Sequence, residues 1–339
     1  MKKSSPRSLL DRVLDRVARN VAAAHNRELH AVRLEIDELR NAVVALAGRV
    51  DTLTAAGKRL DKVLANQKID EKYRMIFRKQ LAALIRTSYF STDVPAPLAI
   101  QMRRFRLRSQ NEEDGIILAL LEATGVGSRR FVEIGSGGTG GNSAILAGDM
   151  GWSGLMVDAS SRAVKMATHE FRANSGVTIV HARATSDGIN DLLKTHGFAG
   201  DVDLLSIDID SVDYWVLDAI TVCTARLLVI EYNAGFGPRQ SLTLPDAAPP
   251  KVRPREYFGA SLAALTKAAQ RRGYRLVLCE YSGVNAFFVR EGLAPGIPTL
   301  TPEQAFRPFR YRLHDDASVP DPADVVKAIE DAGLPLVEV

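Results

Sequence analysis

Cysteine is almost missing from this chain, with Cys223 and Cys279 the whole supply in 339 residues. Both fall in or near apolar runs that read as strands. Burial as small apolar side chains is therefore expected, rather than a disulfide or a metal pair. That fits a reducing cytoplasm. No apolar run comes near the ~20 residues that a membrane span requires. The first residues are basic but lack an apolar core and a cleavage site, which argues against a secretory signal. Proline is absent from residues 8–72, where Gly48 and Gly57 are the only glycines. So few breakers over that length exclude a string of loops and leave a long helix.

What charge there is falls unevenly. The formal net charge is +4, yet residues 1–90 hold 19 Lys/Arg against 10 Asp/Glu, and the remainder 25 against 30. A basic arm on a mildly acidic body can approach an anionic lipid, polysaccharide or nucleic-acid surface, or can simply be a solvated helix. A cytoplasmic location is expected, with the arm able to rest on the inner face of the membrane. Apolar residues in the arm alternate three and four apart: Leu29, Val32, Ile36, Leu39, Val43, Leu46, Val50, Leu53, then Leu60 and Leu64. β-branched residues at one seam position and Leu at the other favour a parallel two-stranded coiled coil, hence a homodimer. The alternative is an amphipathic helix folded onto its own domain. A second helical piece, 73–89, leads to a linker holding Pro95 and Pro97. The chain thus divides into a coiled-coil arm (1–72), a helical linker (73–100), a main domain (101–291) and a tail with one helix (292–339).

The main domain is organised around residues 130–143. An apolar run (Phe131, Val132, Ile134) breaks into Gly135, Gly137, Gly138, Gly140 and Gly141, and a helical segment follows. Strand, glycine turn and helix bring backbone N–H groups up against a ligand. Asp158 ends the next apolar run, where a carboxylate can accept from two ribose hydroxyls. Gly135-x-Gly137-x-x-Gly140 also fits the dinucleotide fingerprint, so an NAD(P)-dependent oxidoreductase stays open. Glu133 tilts the choice. Its charge would oppose a pyrophosphate but suit the cationic amino-acid end of S-adenosylmethionine (SAM).

Alternating units follow, with strands at 130–134, 154–157, 177–180, 202–207 and 226–231 and helices between them. They predict a doubly wound parallel sheet. Residues 274–279 and 285–290 read as a closing antiparallel hairpin, the mark of the methyltransferase version of that sheet. Ser109 is placed to cap a helix over 110–124. The proline-rich stretch 233–257 reads as a lid on the acceptor side.

Asp208 and Asp210 close the fourth strand, and Glu231, Tyr232 and Asn233 close the fifth. Asp208, Glu231 and Asn233 together suit Mg²⁺ or Mn²⁺, which could hold and acidify a hydroxyl acceptor. In a metal-free alternative Asp208 or Asp210 is the general base; in a third, these acids only cap the next helix. Tyr232 is placed toward the acceptor. No Asn-Pro-Pro-Tyr-like motif follows the fourth strand, so oxygen is the expected target and nucleic acid is not an expected partner.

Five segments carry a family likeness: Ser109-Gln-x-x-Glu-Asp-Gly115, Phe131-Val-Glu-Ile-Gly135, Leu205-Ser-Ile-Asp-Ile-Asp210, Val229-Ile-Glu-Tyr-Asn233 and Gly283-Val-Asn-Ala-Phe-Phe288. Over about 105–291 the chain resembles the FkbM-like class I SAM-dependent methyltransferases. The resemblance implies O-methyl transfer, to a saccharide or another small hydroxyl acceptor. It also implies that Gln110 and Asp114 come near the cofactor, with Glu133, Gly135, Gly137, Asp158 and Asp208, and that Asn285 lines the acceptor site. Residue 211 is Ser where the family pattern prefers Gly. A non-catalytic scaffold with this fold is the remaining alternative. Deleting residues 1–72 is expected to leave a soluble monomer in sedimentation, and a truncated protein that still dimerises refutes the coiled-coil role.

Overall fold

The computed structural model describes residues 100, 103–250, 252–309 and 320–339. The heptad arm, the helical piece 73–89 and the proline linker lie outside them. Near-continuous apolar runs form the central strands, because a parallel sheet is covered on both faces and has no wet side to alternate toward. β1 (Arg130–Ile134), β2 (Ser153–Asp158), β4 (Gly200–Ile207) and β5 (Cys223–Glu231) are of this kind. β3 (Val177–His181), at one edge, is half-exposed.

β7 (Tyr274–Cys279) and β8 (Asn285–Arg290) close the other side, with β8 antiparallel to both β5 and β7. The order is β3-β2-β1-β4-β5-β8-β7. Setting aside the short β6 (Leu242–Thr243), which belongs elsewhere, this is 3-2-1-4-5-7-6 with the last strand reversed, the class I methyltransferase arrangement. The expected doubly wound sheet with a closing antiparallel hairpin is therefore met, and the helical arm expected ahead of it lies outside the described residues. The hairpin turn is held by Glu280, whose carboxylate accepts from the Ser282 and Val284 amides at 2.5 and 2.7 Å.

One face of the sheet (Phe131, Met156, Leu204, Leu227, Phe287) packs on α1 (Glu113–Thr124), α2 (Ala144–Gly148) and α3 (Ser161–Glu170). The other (Val132, Leu155, Leu205, Leu228, Phe288) packs on α4 (Ile189–Thr195), α5 (Asp213–Ala219) and α6 (Leu262–Arg271). Both cysteines are buried and free, as expected. The strand order reverses between β1 and β4, which opens a crevice at their carboxyl ends. Among the described residues no helix is long and apolar enough to cross a membrane.

Two local expectations change. The first helix starts at Glu113, and its cap position, Glu112, makes no side-chain capping bond. Ser109 reaches it across a loop instead, its hydroxyl accepting from the Asp114 amide at 3.3 Å. The stretch after β5 is not a free lid either. A short helical turn (Ala234–Phe236) and β6 fasten it to the tail, where β9 (Val337–Glu338) pairs antiparallel with β6. Phe236, Leu244 and Tyr257 share a small apolar core with Val325 and Ile329 of α8 (Pro322–Asp331); α7 (Pro302–Ala305) lies earlier in the tail. Apolar side chains spaced among the prolines give this segment a surface to bury. Ile329 is fully buried, so Ile329→Ala should cost about 2–5 kcal/mol locally. The expected readout is faster proteolytic nicking within 245–256 with the far-ultraviolet spectrum of the main sheet retained; unchanged nicking contradicts this packing.

Candidate active site

Glu133 is the fixed point of the glycine turn. Its side chain is fully buried at the end of β1. One carboxylate oxygen accepts from the Asn142 amide at 3.2 Å and the Ser206 hydroxyl at 3.0 Å. The other accepts from the Ser143 amide at 2.9 Å and, more closely, from the Ser143 hydroxyl. Gly141 admits it, since a Cβ there would stand 2.2 Å from Oε1. The expected direct contact with a ligand's cationic end is therefore corrected, because all four hydrogen bonds are spent on the protein. A carboxylate already sits at the amides that open the helical segment, where a dinucleotide enzyme would place its pyrophosphate.

The rest of the turn is also internally committed. The amides of Gly135 and Ser136 donate to the Val157 carbonyl at 2.8 and 3.2 Å, and that of Gly140 to Ser136 at 2.9 Å. Gly135 has φ +90°, and a Cβ on it would lie 1.6 Å from the Asp208 carbonyl oxygen, so β1 and β4 can close only over a glycine. Asp158 accepts the Gly137 amide at 2.8 Å on one oxygen and the Ser160 amide at 2.7 Å on the other. It stays partly exposed, and beside it a Cβ on Gly137 would meet nothing within 4 Å. Each carboxylate oxygen of Asp158 keeps a further lone pair to offer a ligand.

Asp208, Asp210 and Glu231 bring carboxylate oxygens within 4.8 Å of one another. The parallel register Ile207↔Ile230 makes Asp208 and Glu231 neighbours. Burial first, then repulsion from the surrounding acids (Asp213, Asp210 and Glu133 on Asp208; Asp208, Asp210 and Asp213 on Glu231), pushes both well above the usual carboxylate range, and a hydrogen bond joins the two side chains. Asp210 takes the left-handed conformation, φ 55°. Ser211 is thus not the residue that needs glycine's freedom, and its hydroxyl donates to the Ile209 carbonyl at 3.0 Å. Asp213, fully buried at the start of α5, accepts the amides of Ile209 and Ser211 at 2.8 and 2.9 Å. Capping the turn is thus Asp213's work, which leaves Asp208 and Asp210 with other uses.

Two expected site residues are elsewhere engaged. Asn233, 1% exposed, accepts from the Gly235 amide at 2.9 Å and donates to the carbonyls of Glu256 and Phe258 at 2.7 and 2.9 Å. It pins the loop, and Asp210 stands in the acid cluster in its stead. Tyr232 points to the opposite face of the sheet from Glu231, because side chains alternate along a strand. Its hydroxyl donates to the Arg307 carbonyl at 2.6 Å, so it anchors the tail rather than facing an acceptor.

Asp114 is buried, with one oxygen accepting the amides of Leu107, Arg108 and Ser109 at 2.6, 2.7 and 3.0 Å and the other without a partner among the described residues. Gln110 is exposed on the same loop. Asn285 lies opposite Glu231 and donates to Glu113 at 3.1 Å. The structural roles of Glu113, Ser143, Ser206 and Asp213 are not legible from spacing. The signal available was two consecutive acids opening α1 and one opening α5.

No protein-family model matches the chain, and no curated protein does. Solved structures of similar fold include a TehB-like SAM-dependent methyltransferase from Corynebacterium glutamicum (14% identity over 51% of this chain and 86% of that one, TM-score 0.32). The N-terminal domain of EvdMO1 with SAH bound is another (15% identity, 61% and 94%, TM-score 0.36). A third is Aeropyrum pernix fibrillarin with natively bound SAM (12% identity, 51% and 74%, TM-score 0.34). The first is a SAM-dependent methyltransferase and the other two hold SAH and SAM; at such identities the likeness is one of fold alone.

Burial lifts Glu133 from 4.5 to about 7, against the pull of its four donors, and Asp213 from 3.8 to about 6. Below pH 4.5 folded and unfolded chains both keep the Glu133 proton. Between 4.5 and 7 only the folded chain does, and above 7 neither. The contribution is thus complete in acid and lost as pH rises, by roughly 3 kcal/mol. Urea unfolding from pH 5 to 8 should show the wild type losing roughly 2–3 kcal/mol relative to Glu133→Gln; parallel pH profiles would rule this out. The variant itself should be less stable throughout, since an amide nitrogen cannot accept from the Ser143 or Asn142 amide.

Proposed function

We propose that the chain is a SAM-dependent O-methyltransferase of FkbM-like type, acting on a hydroxyl of a saccharide or similar small acceptor. The observation that carries this reading is the Glu133 carboxylate seated on the amides of Asn142 and Ser143. That place is denied to a pyrophosphate, and the buried acid leaves the neighbouring crevice suited to a cation. Asp158, partly exposed beside open space, can accept from the two hydroxyls of a ribose. When bound, SAM supplies a methyl group on a sulfonium. Asp208, Asp210 and Glu231 lie at the neighbouring strand ends, on the acceptor side, where a carboxylate can take the proton of the attacking hydroxyl. A cluster of acids at this place disfavours an anionic acceptor, which supports a neutral saccharide. The family resemblance of five segments points the same way.

Calorimetry tests the reading. S-adenosylhomocysteine (SAH) should bind the wild type, and NAD(P)H should not. Asp158→Asn, which turns one acceptor into a donor, should weaken SAH by about 10-fold or more, with a modestly lower melting midpoint because the Gly137 or the Ser160 amide loses its acceptor. Binding of NAD(P)H with no affinity for SAH would overturn the assignment.

A further inference from the structure

At the carboxyl ends of β4 and β5 and the amino end of β8, side chains on the α1 face are acceptors left short of donors. Glu231 and Asn285 are directly opposed across the antiparallel pair, so their side chains leave the sheet on the same face, about 5 Å apart at Cβ. Asp208 adjoins Glu231 from the strand beyond. Among the described residues Glu231 Oε2 is buried without a hydrogen-bond partner, and so is Asn285 Oδ1, on a residue 3% exposed. The orientation of the Asn285 amide is set from α1. Its nitrogen donates to Glu113 Oε1 at 3.1 Å, and Glu113 is clamped by the Asn111 amide at 2.8 Å and the Asn111 side chain at 3.0 Å. With its nitrogen so engaged, Asn285 can offer the site only its oxygen.

We infer that Asp208, Asp210, Glu231 and the Asn285 carbonyl oxygen form a binding site for one divalent hard cation, Mg²⁺ or Mn²⁺, with Glu113 as the residue that orients Asn285. Three carboxylates and an amide oxygen are the donor set such ions select. A proton shared between Asp208 and Glu231 relieves those two acids but gives Asn285 Oδ1 nothing, whereas a cation serves all four groups. The amide oxygen of the site is thus Asn285, reached through the hairpin, and not Asn233, which the loop consumes. The position of the ion beside the crevice would let it hold an acceptor hydroxyl and lower its pKa, but cation binding itself does not depend on the cofactor assignment.

The test is titration of the full chain with MnCl₂, followed by the electron paramagnetic resonance signal of free Mn²⁺, with MgCl₂ as competitor. One Mn²⁺ per chain, displaced by Mg²⁺, is expected. Asp208→Asn should abolish it. Asn285→Leu should weaken it by about 10-fold, and Glu113→Gln comparably, because the new amide can donate to Asn285 Oδ1 and turn it away from the ion. Asp201→Asn, an exposed acid at the opposite end of β4, should leave it unchanged. Should Asn285→Leu fail to fold, Asn285→Ala carries the same test. Absence of saturable Mn²⁺ binding in the wild type overturns the site. Wild-type affinity in folded Asn285 and Glu113 variants overturns their part in it. SAH calorimetry on the same samples keeps the outcomes separate, since either ligand can bind without the other.

Discussion

A carboxylate buried against backbone amides holds the centre of this protein. Glu133 ties the end of β1 to the opening of the next helical segment and, through Ser206, to β4. Removing a charged group from water is costly, and here four donors offset only part of that cost. The remainder is a cost the fold carries to keep an acid where a glycine turn would otherwise collect an anion from solution. The crevice inherits its character from that choice: a turn whose amides are mostly committed, an acid at its floor, and open space beside Asp158.

A second consequence is an uneven distribution of charge along the carboxyl edge of the sheet. From β1 to β8 the side chains on the α1 face run Glu133, Asp208, Glu231 and Asn285, with Ser206 the one hydroxyl behind them. Acceptors outnumber donors along this row, and the positive-φ turn at Asp210 adds another. Asp213 spends its carboxylate on the amides of Ile209 and Ser211 and so keeps that turn in place. The arrangement divides labour among chemically identical side chains by what each already touches. Asp213 and Glu133 are satisfied and structural, whereas Asp208, Asp210 and Glu231 are gathered and under-supplied.

Much of the fold was legible in the sequence, because strand and helix periods differ and glycines mark the turns. Residues 130–134, 274–279 and 285–290 read as strands at the same limits the structure gives them. The site was legible by position more than by contact. Asp208 and Glu231 are neighbours because adjacent parallel strands end together, a fact the order of units predicts. Tyr232 and Asn233 were misplaced for two reasons. Alternation sends residue 232 to the other face, and the loop after β5 takes up every hydrogen-bonding group of residue 233. Neither the Asn285–Glu113 bond, spanning 172 residues, nor the fastening of the tail leaves a local signature.

The pairing of β6 with β9 joins Leu242 to Glu338 and Thr243 to Val337. Closing so long a loop carries an entropic toll before any reward arrives, whereas β1 to β4 are assembled from neighbours in the chain. The half built on β1 to β4 can therefore take shape early in folding while the wall beside β5 waits for distant sequence. That order makes the wall beside β5 a property of two remote segments acting jointly. Evolution could retune that wall by altering either segment without disturbing β1 to β4.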